Sequence, residues 1–418
     1  MKCRYLYSAC VLIETSKTKV LCDPWFGDNA FLGAWGQYPK IDNPISKIGP
    51  VDLIYVSHVH DDHFDPIFLN EYLKSYPSSK VIIGETTPPL LSRNLQRSGI
   101  PFEVINKDYQ FQDIKLSIIP NKANIVDLDT ALCIKTDTHC VVNMNDNPVD
   151  ESQIMEIKNF FEDRLIDLAL LPYTGAGPFP SMYIFDNNSA AVDAAKIHNQ
   201  FWLDAFDSYI EAFKPKYILP FAGKYWLTDN FSNRNFLKNT VDPINLKKDY
   251  DNVIVLADGG DHYIDLSNDE ISKERDYPYD INLISKSMEK QKHKYKEEIS
   301  FKRDISHSIE KLLHLSAVNA NKMQKINETF FVFHLEDSMD SSKKILALDS
   351  SNPKPFWVKE SEVINLQPRY EIEINLNLLF GLLSGVYIWQ SVEYLALFKR
   401  VPDEYSMAIQ TWFHHLHI

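Results

Sequence analysis

The sequence predicts an α/β protein with two domains, and three observations support this class. The chain has 418 residues, which is more than one hydrophobic core usually holds. Apolar or alternating runs typical of strands are interleaved with helical spacing through the first part of the chain. Near residue 266 the composition turns to Lys, Glu and Asp, and an α+β pattern follows. We therefore predict a first domain over 1–265, a charged linker or helix over 266–302 and a smaller α+β domain over 303–418.

The first domain is predicted to begin with two strand segments, Tyr5 to Ile13 and Val20 to Cys22, separated by a turn at Thr15 to Thr18. Pro24 ends the second segment and leaves Asp23 at the end of a strand. The same criteria predict further elements in chain order: strand 53–56, helix 66–75, strand 80–83, helix 88–98, strands 102–105, 114–119, 131–135 and 140–144, helix 151–162, strand 166–171, helix 190–213 and strand 217–220.

The second domain is predicted to mix helices and strands. Its elements are helix 304–326, strands 329–335, 344–349 and 369–374, and helices 376–384 and 403–416. This pattern looks like a sterol-carrier-type appendage, whose apolar groove would either bind a lipid or pack on the first domain.

Composition and charge argue against several classes of function. The net charge of −14, from 43 Lys+Arg against 57 Asp+Glu, disfavours non-specific nucleic-acid binding and a basic membrane-binding face. An anionic substrate would therefore need a local cluster of Lys or Arg. The five cysteines include no close Cys-x-x-Cys pair, so we expect a reducing, cytoplasmic location rather than disulfides. No signal peptide and no bilayer-spanning apolar stretch are visible, which predicts a soluble protein.

The residues that carry chemistry follow the predicted strand Leu53 to Val56. The sequence there reads His-x-His-x-Asp-His, with His58, His60, Asp62 and His63 in those positions. On a loop that turns sharply after a strand, two imidazoles two residues apart can converge on one ion, while Asp62 and His63 face a neighbouring position. The alternative is a polar loop rich in His and Asp by chance. Three His and three Asp within eight residues make a metal site the better interpretation.

This pattern resembles the first metal-binding loop of the metallo-β-lactamase fold superfamily. The resemblance implies an αββα sandwich with one or two divalent ions, Zn, Fe or Mn, at one edge of two packed sheets. It also implies a carboxylate that bridges two ions just past a later strand, where this sequence has Asp146. Asp62 and Asp146 are thus the expected catalytic residues. The expected metal ligands are His58, His60, Asp62, His63 and Asp146.

Other polar and aromatic residues are candidates for supporting roles. Asp23 and Asp61 could orient the ligands, although an Asp at a turn often serves only local hydrogen bonding. The loop Gly33 to Pro39, with two exposed-looking aromatic residues, either covers substrate or packs on itself. The residues expected to contact a small-molecule substrate are Trp25, Trp35, Tyr173, Lys224 and Tyr225.

The sequence departs from the hydrolytic members of the superfamily at two histidine positions. The stretch 120–129 has no His, and Ala222 stands where a second His is expected. His262 is the best spare candidate for a ligand. If no imidazole compensates, oxygen donors such as Asp127 or Asp129 would have to, and the preference would move from a di-zinc site towards Mn or Fe.

A narrower resemblance, to the metallo-β-lactamase portion of CMP-N-acetylneuraminate and UDP-N-acetylmuramate hydroxylases, rests on several short motifs. They are Asp23 to Phe26, Trp35 to Pro39, Asn143 to Asp146, Pro220 to Gly223, Leu378 to Leu383 and Arg400 to Asp403. Those hydroxylases also carry a Rieske domain, which needs two Cys and two His at close spacing, and this sequence shows no such set. The resemblance implies the scaffold and an N-acylated amino-sugar or nucleotide substrate.

Three functions remain open from the sequence. The leading hypothesis is a metal-dependent hydrolase acting on an N-acylated amino-sugar, a nucleotide-sugar or a phosphoester. The alternative is a non-haem iron oxygenase, because two His and one carboxylate form the ligand set of such iron sites, and it would need an external reductase. The third is a metal-poor binding module, which the missing histidines would suit.

Overall fold

The computed structural model describes residues 1–106, 108–123, 129–238, 241–299, 301, 304–336, 344–401 and 406–418. Within them, two β-sheets pack face to face in the first part of the chain, and a five-stranded sheet follows in the second. The strands of the first part are β1 (Lys2–Tyr7), β2 (Cys10–Glu14), β3 (Lys19–Cys22), β4 (Trp35–Gly36), β5 (Leu53–Tyr55), β6 (Lys80–Gly84), β7 (Phe102–Ile105), β8 (Tyr109–Phe111), β9 (Ile114–Pro120), β10 (Thr130–Lys135), β11 (Cys140–Asn143), β12 (Leu168–Pro172), β13 (Tyr217–Phe221), β14 (Trp226–Leu227), β15 (Tyr263–Asp265) and β16 (Glu270–Ile271).

The two packed sheets have eight and six strands. The first runs in the order β16-β15-β1-β2-β3-β5-β6-β7 and the second in the order β13-β12-β11-β10-β9-β8, while β4 and β14 form a separate pair. Alternate residues of the facing strands, including Val11, Tyr55, Leu132 and Leu170, form the apolar layer between the sheets. The strands are short and rich in Val, Ile and Leu because both faces of each sheet are covered.

Helices cover the outer face of each sheet. On the first sheet, α2 (Pro66–Ser75) and α3 (Leu90–Arg97) bury Phe68, Leu69 and Leu95. Both α1 (Pro44–Ile48) and α2 begin with a proline in the first turn. The helices of this part are α1 (Pro44–Ile48), α2 (Pro66–Ser75), α3 (Leu90–Arg97), α4 (Glu151–Phe161), α5 (Asn188–Phe213) and α6 (Pro243–Leu246), with 3₁₀ segments at Ala30–Gly33 and Asp229–Leu237. On the second sheet, α4 and α5 bury Phe161 and Phe206. The predicted αββα sandwich is confirmed.

The strand directions bring the polar loops to one edge of the sandwich. In the first sheet β3, β5 and β6 are parallel, and in the second sheet β11, β12 and β13 are parallel. The loops that follow the carboxyl ends of parallel strands lie at a common edge, which is where open α/β sheets carry their sites. Asp23, the His loop after β5 and Asp146 after β11 follow such ends.

The second part of the chain is a smaller α+β unit. Its sheet has the order β19-β18-β17-β20-β21, with β17 and β20 parallel. Its elements are α9 (Ser306–Met323), β17 (Phe330–Glu336), β18 (Lys344–Asp349), β19 (Phe356–Val358), α10 (Glu360–Val363), β20 (Arg369–Asn375), α11 (Leu376–Leu383), α12 (Trp389–Val392), β21 (Leu397–Val401) and α13 (Met407–His414), after α7 (Ile281–Met288) and α8 (Tyr295–Glu298). Its likeness to a sterol-carrier domain stays a prediction.

The core of this smaller unit continues into the first part of the chain. Trp35 and Phe31, from the loop between β3 and α1, are buried with Tyr394 and Trp389 in one apolar cluster. The Tyr394 ring lies 5.2 Å from Phe31 and 4.9 Å from Trp35, measured between ring centroids. The aromatic loop that was predicted to look exposed is therefore packed between the two parts of the chain.

The charged segment 266–302 also packs on the first part of the chain. Ile284 and Met288 of α7 are buried against Trp226. These two apolar side chains anchor the helix to the first part of the chain. Asp229 accepts hydrogen bonds from Lys292 at 2.9 Å and Lys296 at 2.8 Å. Among the residues that the structure describes, no helix combines the length and the apolar composition needed to cross a bilayer.

Asp229→Asn should make the folded protein less stable at neutral pH. Burial raises the pKa of Asp229, but Lys296 and Lys292 outweigh it and hold the pKa at about 2, below the ordinary 3.8. The stabilisation is therefore present above about pH 4 and is lost as the pH falls towards 2. We expect a loss of about 1 kcal/mol at pH 7, because both lysines are largely exposed.

Urea unfolding at several pH values measures this effect. The free energies of unfolding of the wild type and the variant should converge between pH 4 and pH 2. Asp28→Asn, which removes an exposed pair with Lys40, should change little at any pH. A constant difference between wild type and Asp229→Asn over this pH range would contradict the assignment.

Candidate metal centre

The His loop is held at both ends by its own backbone and by Asp65. After β5 the chain turns so that the amides of His63 and Phe64 both donate to the carbonyl of His60, at 3.0 and 2.8 Å. Asp65 then caps α2 by accepting from the Phe68 amide at 3.0 Å, and it also accepts from the Gly27 amide at 2.8 Å. The loop is thus a tight turn between a buried strand and a capped helix.

The two histidines two residues apart lie close together, and their sharing of one ion stays a prediction. His58 Nε2 and His60 Nδ1 lie 2.8 Å apart, with the rings nearly perpendicular. His58 is buried beneath the loop, and the His60 ring lies 6.2 Å from that of Phe31. Two ring nitrogens at this distance are within hydrogen-bond range of each other, and they could share one ion only when both are unprotonated.

The second part of the cluster comprises His63, Asp62 and Asp146. His63 Nε2 lies 3.3 Å from Asp146 Oδ2 and 3.5 Å from Asp62 Oδ2. Ligand atoms of His58, His63 and Asp146 all lie within 4.8 Å of one another. One imidazole from each half of the loop and a carboxylate from the other sheet therefore converge at the shared edge.

Asp23 and Ser57 fix the buried side of the cluster. The Asp23 carboxylate accepts from the Ser57 amide and hydroxyl, each at 2.7 Å, and lies 2.9 Å from His63 Nδ1. This contact leaves the other nitrogen of His63, Nε2, facing Asp146 and Asp62. Such carboxylate–histidine contacts set the tautomer and the ring orientation of histidines that bind metals.

The electrostatics of the cluster suit a bound cation. Burial, together with the charges of His63 and His60, lowers the pKa of His58 well below its ordinary value. Burial also lowers the pKa of His63, but Asp146, Asp62 and Asp23 outweigh it and raise the pKa well above its usual value. Burial and the Asp146 charge raise the pKa of Asp62 to about 6. These carboxylates repel each other, and a divalent cation would relieve that repulsion.

Two buried atoms at the convergence point are available to a ligand. His63 Nε2 and Asp146 Oδ1 are inaccessible to solvent, and neither atom has a partner with hydrogen-bond geometry among the described residues. Buried polar atoms are normally hydrogen-bonded, so such a pair calls for a bound species. Imidazole and carboxylate donors are those that zinc, iron and manganese accept. The residues present therefore fit a divalent metal.

Sequence reasoning missed three contacts of the cluster. Ser57 Oγ lies 2.9 Å from His58 Nδ1, and Asp129, which was considered only as a replacement ligand, lies 3.2 Å from the same nitrogen. Gln390 of α12 brings its side-chain amide to 3.1 Å from His60 Nε2. A residue 330 positions away in the sequence carries no local signal for this role.

Asp61 and His262 do not belong to the converging group. Asp61 accepts from the Phe31 amide at 2.7 Å and so holds the aromatic loop. His262 precedes β15, which three strands separate from β5, a distance of roughly 19 Å at the usual strand spacing. Ala222 lies at the end of β13, and Asp127 lies outside the described residues.

The five predicted substrate-binding residues fall into two groups. Trp25 and Trp35 are buried in the apolar cluster beside the His loop. Tyr173, Lys224 and Tyr225 follow the ends of β12 and β13 and line a cavity of about 670 Å³. Tyr225 joins the groups, because its ring stacks on Trp35 with centroids 3.5 Å apart.

The fold and the cluster together define a class of protein, an αββα domain that can hold a divalent metal at the shared edge of its sheets. Residues 2–201 match the family model described as the beta-lactamase superfamily domain. The match covers a little under half of the chain and confirms the predicted resemblance to that superfamily.

Curated relatives match about half of the chain. A protein of Mycolicibacterium smegmatis described as a Rieske 2Fe-2S iron-sulfur protein is 30% identical over 226 residues, which cover 51% of this chain and 41% of the relative. Cytidine monophosphate-N-acetylneuraminic acid hydroxylase of Danio rerio is 23% identical over 251 residues, which cover 56% of this chain and 40% of the hydroxylase. The predicted resemblance to this hydroxylase group is confirmed, and the chain spans about two fifths of the length of these relatives.

CmlA, described as a diiron β-hydroxylase from Streptomyces venezuelae, is similar with a TM-score of 0.39 and 14% sequence identity. The similarity covers 57% of this chain and 46% of that chain.

Proposed function

We propose that the protein is a metal-dependent hydrolase of a small-molecule substrate. The observation that carries the proposal is the convergence of His58, His63 and Asp146 at the edge of the sandwich. Two buried atoms of this group that could bind a metal, His63 Nε2 and Asp146 Oδ1, have no hydrogen-bond partner among the described residues. His60 and Asp62 complete the proposed ligand set. The chemistry that the ion supplies when bound is a water of lowered pKa and a polarised scissile group.

The surrounding residues have distinct proposed roles. Asp23 and Asp129 orient His63 and His58 through their Nδ1 atoms. Gln390 fixes the ring of His60 from the second part of the chain. The aromatic residues Trp25 and Trp35 exclude water from the inner side of the loop, which strengthens the electrostatic interactions there. The smaller α+β unit is therefore part of the site's support.

We expect one ion to be bound more tightly than a second. The loop pattern alone would place the tight ion on His58, His60 and Asp146, but the converging ligand atoms support His58, His63 and Asp146 as its ligands, and occupancy on the side of His60 and Asp62 would depend on added metal. Many of the potential metal ligands among the described residues are carboxylates, and carboxylate oxygen suits Mn or Fe better than a di-zinc pair.

The second candidate function is oxygenation by non-haem iron. Two curated relatives named as a Rieske iron-sulfur protein and a hydroxylase favour it, although the chain spans only part of each. The carboxylate-rich donor set would suit iron. An oxygenase would need a source of electrons, for which we propose a reductase as partner.

Metal analysis of the protein purified without chelators tests both candidates. We expect about one tightly bound ion per chain, measured by inductively coupled plasma mass spectrometry against protein concentration. Zinc or manganese would support hydrolysis, and iron would support oxygenation. A protein that carries no metal and binds none on titration would overturn both functions and leave a binding module. A fully occupied di-zinc centre that depends on His262 would contradict the proposed ligand set.

A further inference from the structure

The 670 Å³ cavity lies at the same edge of the sandwich as the metal cluster. Tyr173 and Lys224 follow β12 and β13, the strands parallel to β11, which leads to Asp146. The opposite wall comes from α5, the 3₁₀ segment Asp229–Leu237 and the stretch before α7. The negative charge of Asp62 adds to burial in raising the pKa of Tyr225, so this tyrosine lies within electrostatic range of the His loop.

Three buried basic side chains and two partly buried carboxylates lie around this cavity. Lys224 pairs with Asp258, and Arg275 pairs with Asp242. Lys238 is the third cation, and it forms no ion pair with a carboxylate in the described parts of the chain. Its ammonium contacts the carbonyl oxygen of Tyr225 and lies over two aromatic rings, 3.6 Å from the centroid of Tyr225 and 4.6 Å from that of Trp226.

A positive charge on Lys238 would oppose the charge of the whole chain. The protein has a net charge of −14, so the cavity is a place where an anion escapes the general repulsion. Burial and the neighbouring charge of Lys224 lower the pKa of Lys238 well below its ordinary value. A bound anion would compensate both effects, because an opposite charge favours the protonated amine.

We propose that this cavity binds a small molecule through an oxyanion, a carboxylate or a phosphate group, with Lys238 as its counter-ion. The aromatic faces of Trp226 and Tyr279 would contact the apolar part of the ligand. The inference rests on the proposed function, since it names the substrate of that site as an anionic small molecule. Its chemical basis, a buried cation facing a cavity, is independent of the metal.

Calorimetric titration of the full chain with three matched ligands tests the proposal. Phenylphosphonate and benzoate carry the two oxyanions on one ring, and benzamide is the neutral control. We expect at least one anion to bind at least tenfold more tightly than benzamide. The anion that binds more tightly identifies the group that the site prefers.

Variants then assign the anion to Lys238. Lys238→Met, which keeps most of the length of the side chain and removes the amine, should weaken anion binding at least tenfold, whereas Lys238→Arg should retain most of it. Lys196→Met removes an exposed lysine at the rim that pairs with Asp193, and it should bind like the wild type. Thermal melting of each variant establishes that it is folded.

The metal-free double variant His58→Ala/His60→Ala separates this proposal from the proposed function. Retained anion binding in that variant, together with its loss in Lys238→Met, supports the cavity site whether or not the protein is a metalloenzyme. Anion binding that disappears with the metal but survives Lys238→Met would overturn the proposal, because the anion would then sit on the ion. Equal affinity for benzamide and both anions would also overturn it.

Discussion

Replacing His58 and His60 together with Ala should leave the protein without a tightly bound metal ion. Their ring nitrogens lie 2.8 Å apart, so the substitution removes two neighbouring imidazoles of the proposed ligand set. Loss of a residue that merely orients a ligand weakens metal binding roughly 10–100-fold. Loss of two direct ligands should exceed that, and the metal content after purification should fall to background.

His262→Ala is the matched control for this experiment. His262 was the best spare ligand in the sequence, but the structure separates it from the loop by three strands. We expect its metal content to equal that of the wild type. The double variant should keep the circular dichroism of the wild type, including the smaller unit over residues 303–418, which has its own sheet. Full metal retention by the double variant would refute the ligand assignment.

The parts of the site that the sequence predicted are those encoded within one short stretch. Strand β5, the tight turn and the cap Asp65 lie within residues 53–65, so the order of residues alone brings His58 and His60 together. Asp146 was predicted through the resemblance to a superfamily. The structure then gives its physical basis, because β11 ends at the same edge as β5 in the facing sheet.

The contacts that the sequence did not predict depend on distant parts of the chain. Gln390 reaches His60 from α12, and Trp389 and Tyr394 enclose the aromatic loop from the same region. The exposure expected for Trp35 was wrong, because Trp35 packs on Tyr394. No sequence periodicity links positions more than three hundred residues apart. Burial of Trp35 follows from a tertiary contact that the local pattern does not encode.

The sequence patterns also failed to predict the turn between β1 and β2. Tyr5 to Ile13 was predicted as one strand, but the chain turns at Ser8, which has a positive φ of 48°, and forms the hairpin of β1 and β2. The segment is apolar on both sides of the turn and contains no Gly, Pro or Asn to mark it. Both strands are buried, so hydrophobicity continues through the turn.

The smaller unit helps to position the His loop. Because Gln390 and Tyr394 contact the His loop and its aromatic neighbours, the geometry of the metal cluster depends on packing between the two parts of the chain. The Asp229 pairs with Lys292 and Lys296 hold the segment that connects them. Metal affinity and the docking of the smaller unit should therefore be coupled.

Asp146→Asn should weaken metal binding by more than the roughly 10–100-fold cost of losing an outer contact, while the metal-free protein stays as stable as the wild type. Asp146 Oδ1 has no hydrogen-bond partner among the described residues, and Oδ2 makes only a long contact of 3.3 Å with His63 Nε2, so the metal-free chain should lose little stability when the charge is removed. The substitution also relieves repulsion with Asp62, whose pKa the Asp146 charge raises. Titration with Mn²⁺ or Zn²⁺ and thermal melting of the metal-free protein measure the two effects separately.

Asp150→Ala gives the opposite pattern and serves as the control. Asp150 lies four residues further on and caps α4, accepting from the amides of Ser152 at 2.9 Å and Lys122 at 2.7 Å. Its loss should lower the free energy of unfolding by about 1 kcal/mol and leave metal affinity unchanged. If Asp146→Asn instead lowered stability and kept full metal affinity, Asp146 would be a turn residue like Asp150. The cluster would then lack the carboxylate that joins the two sheets at the metal.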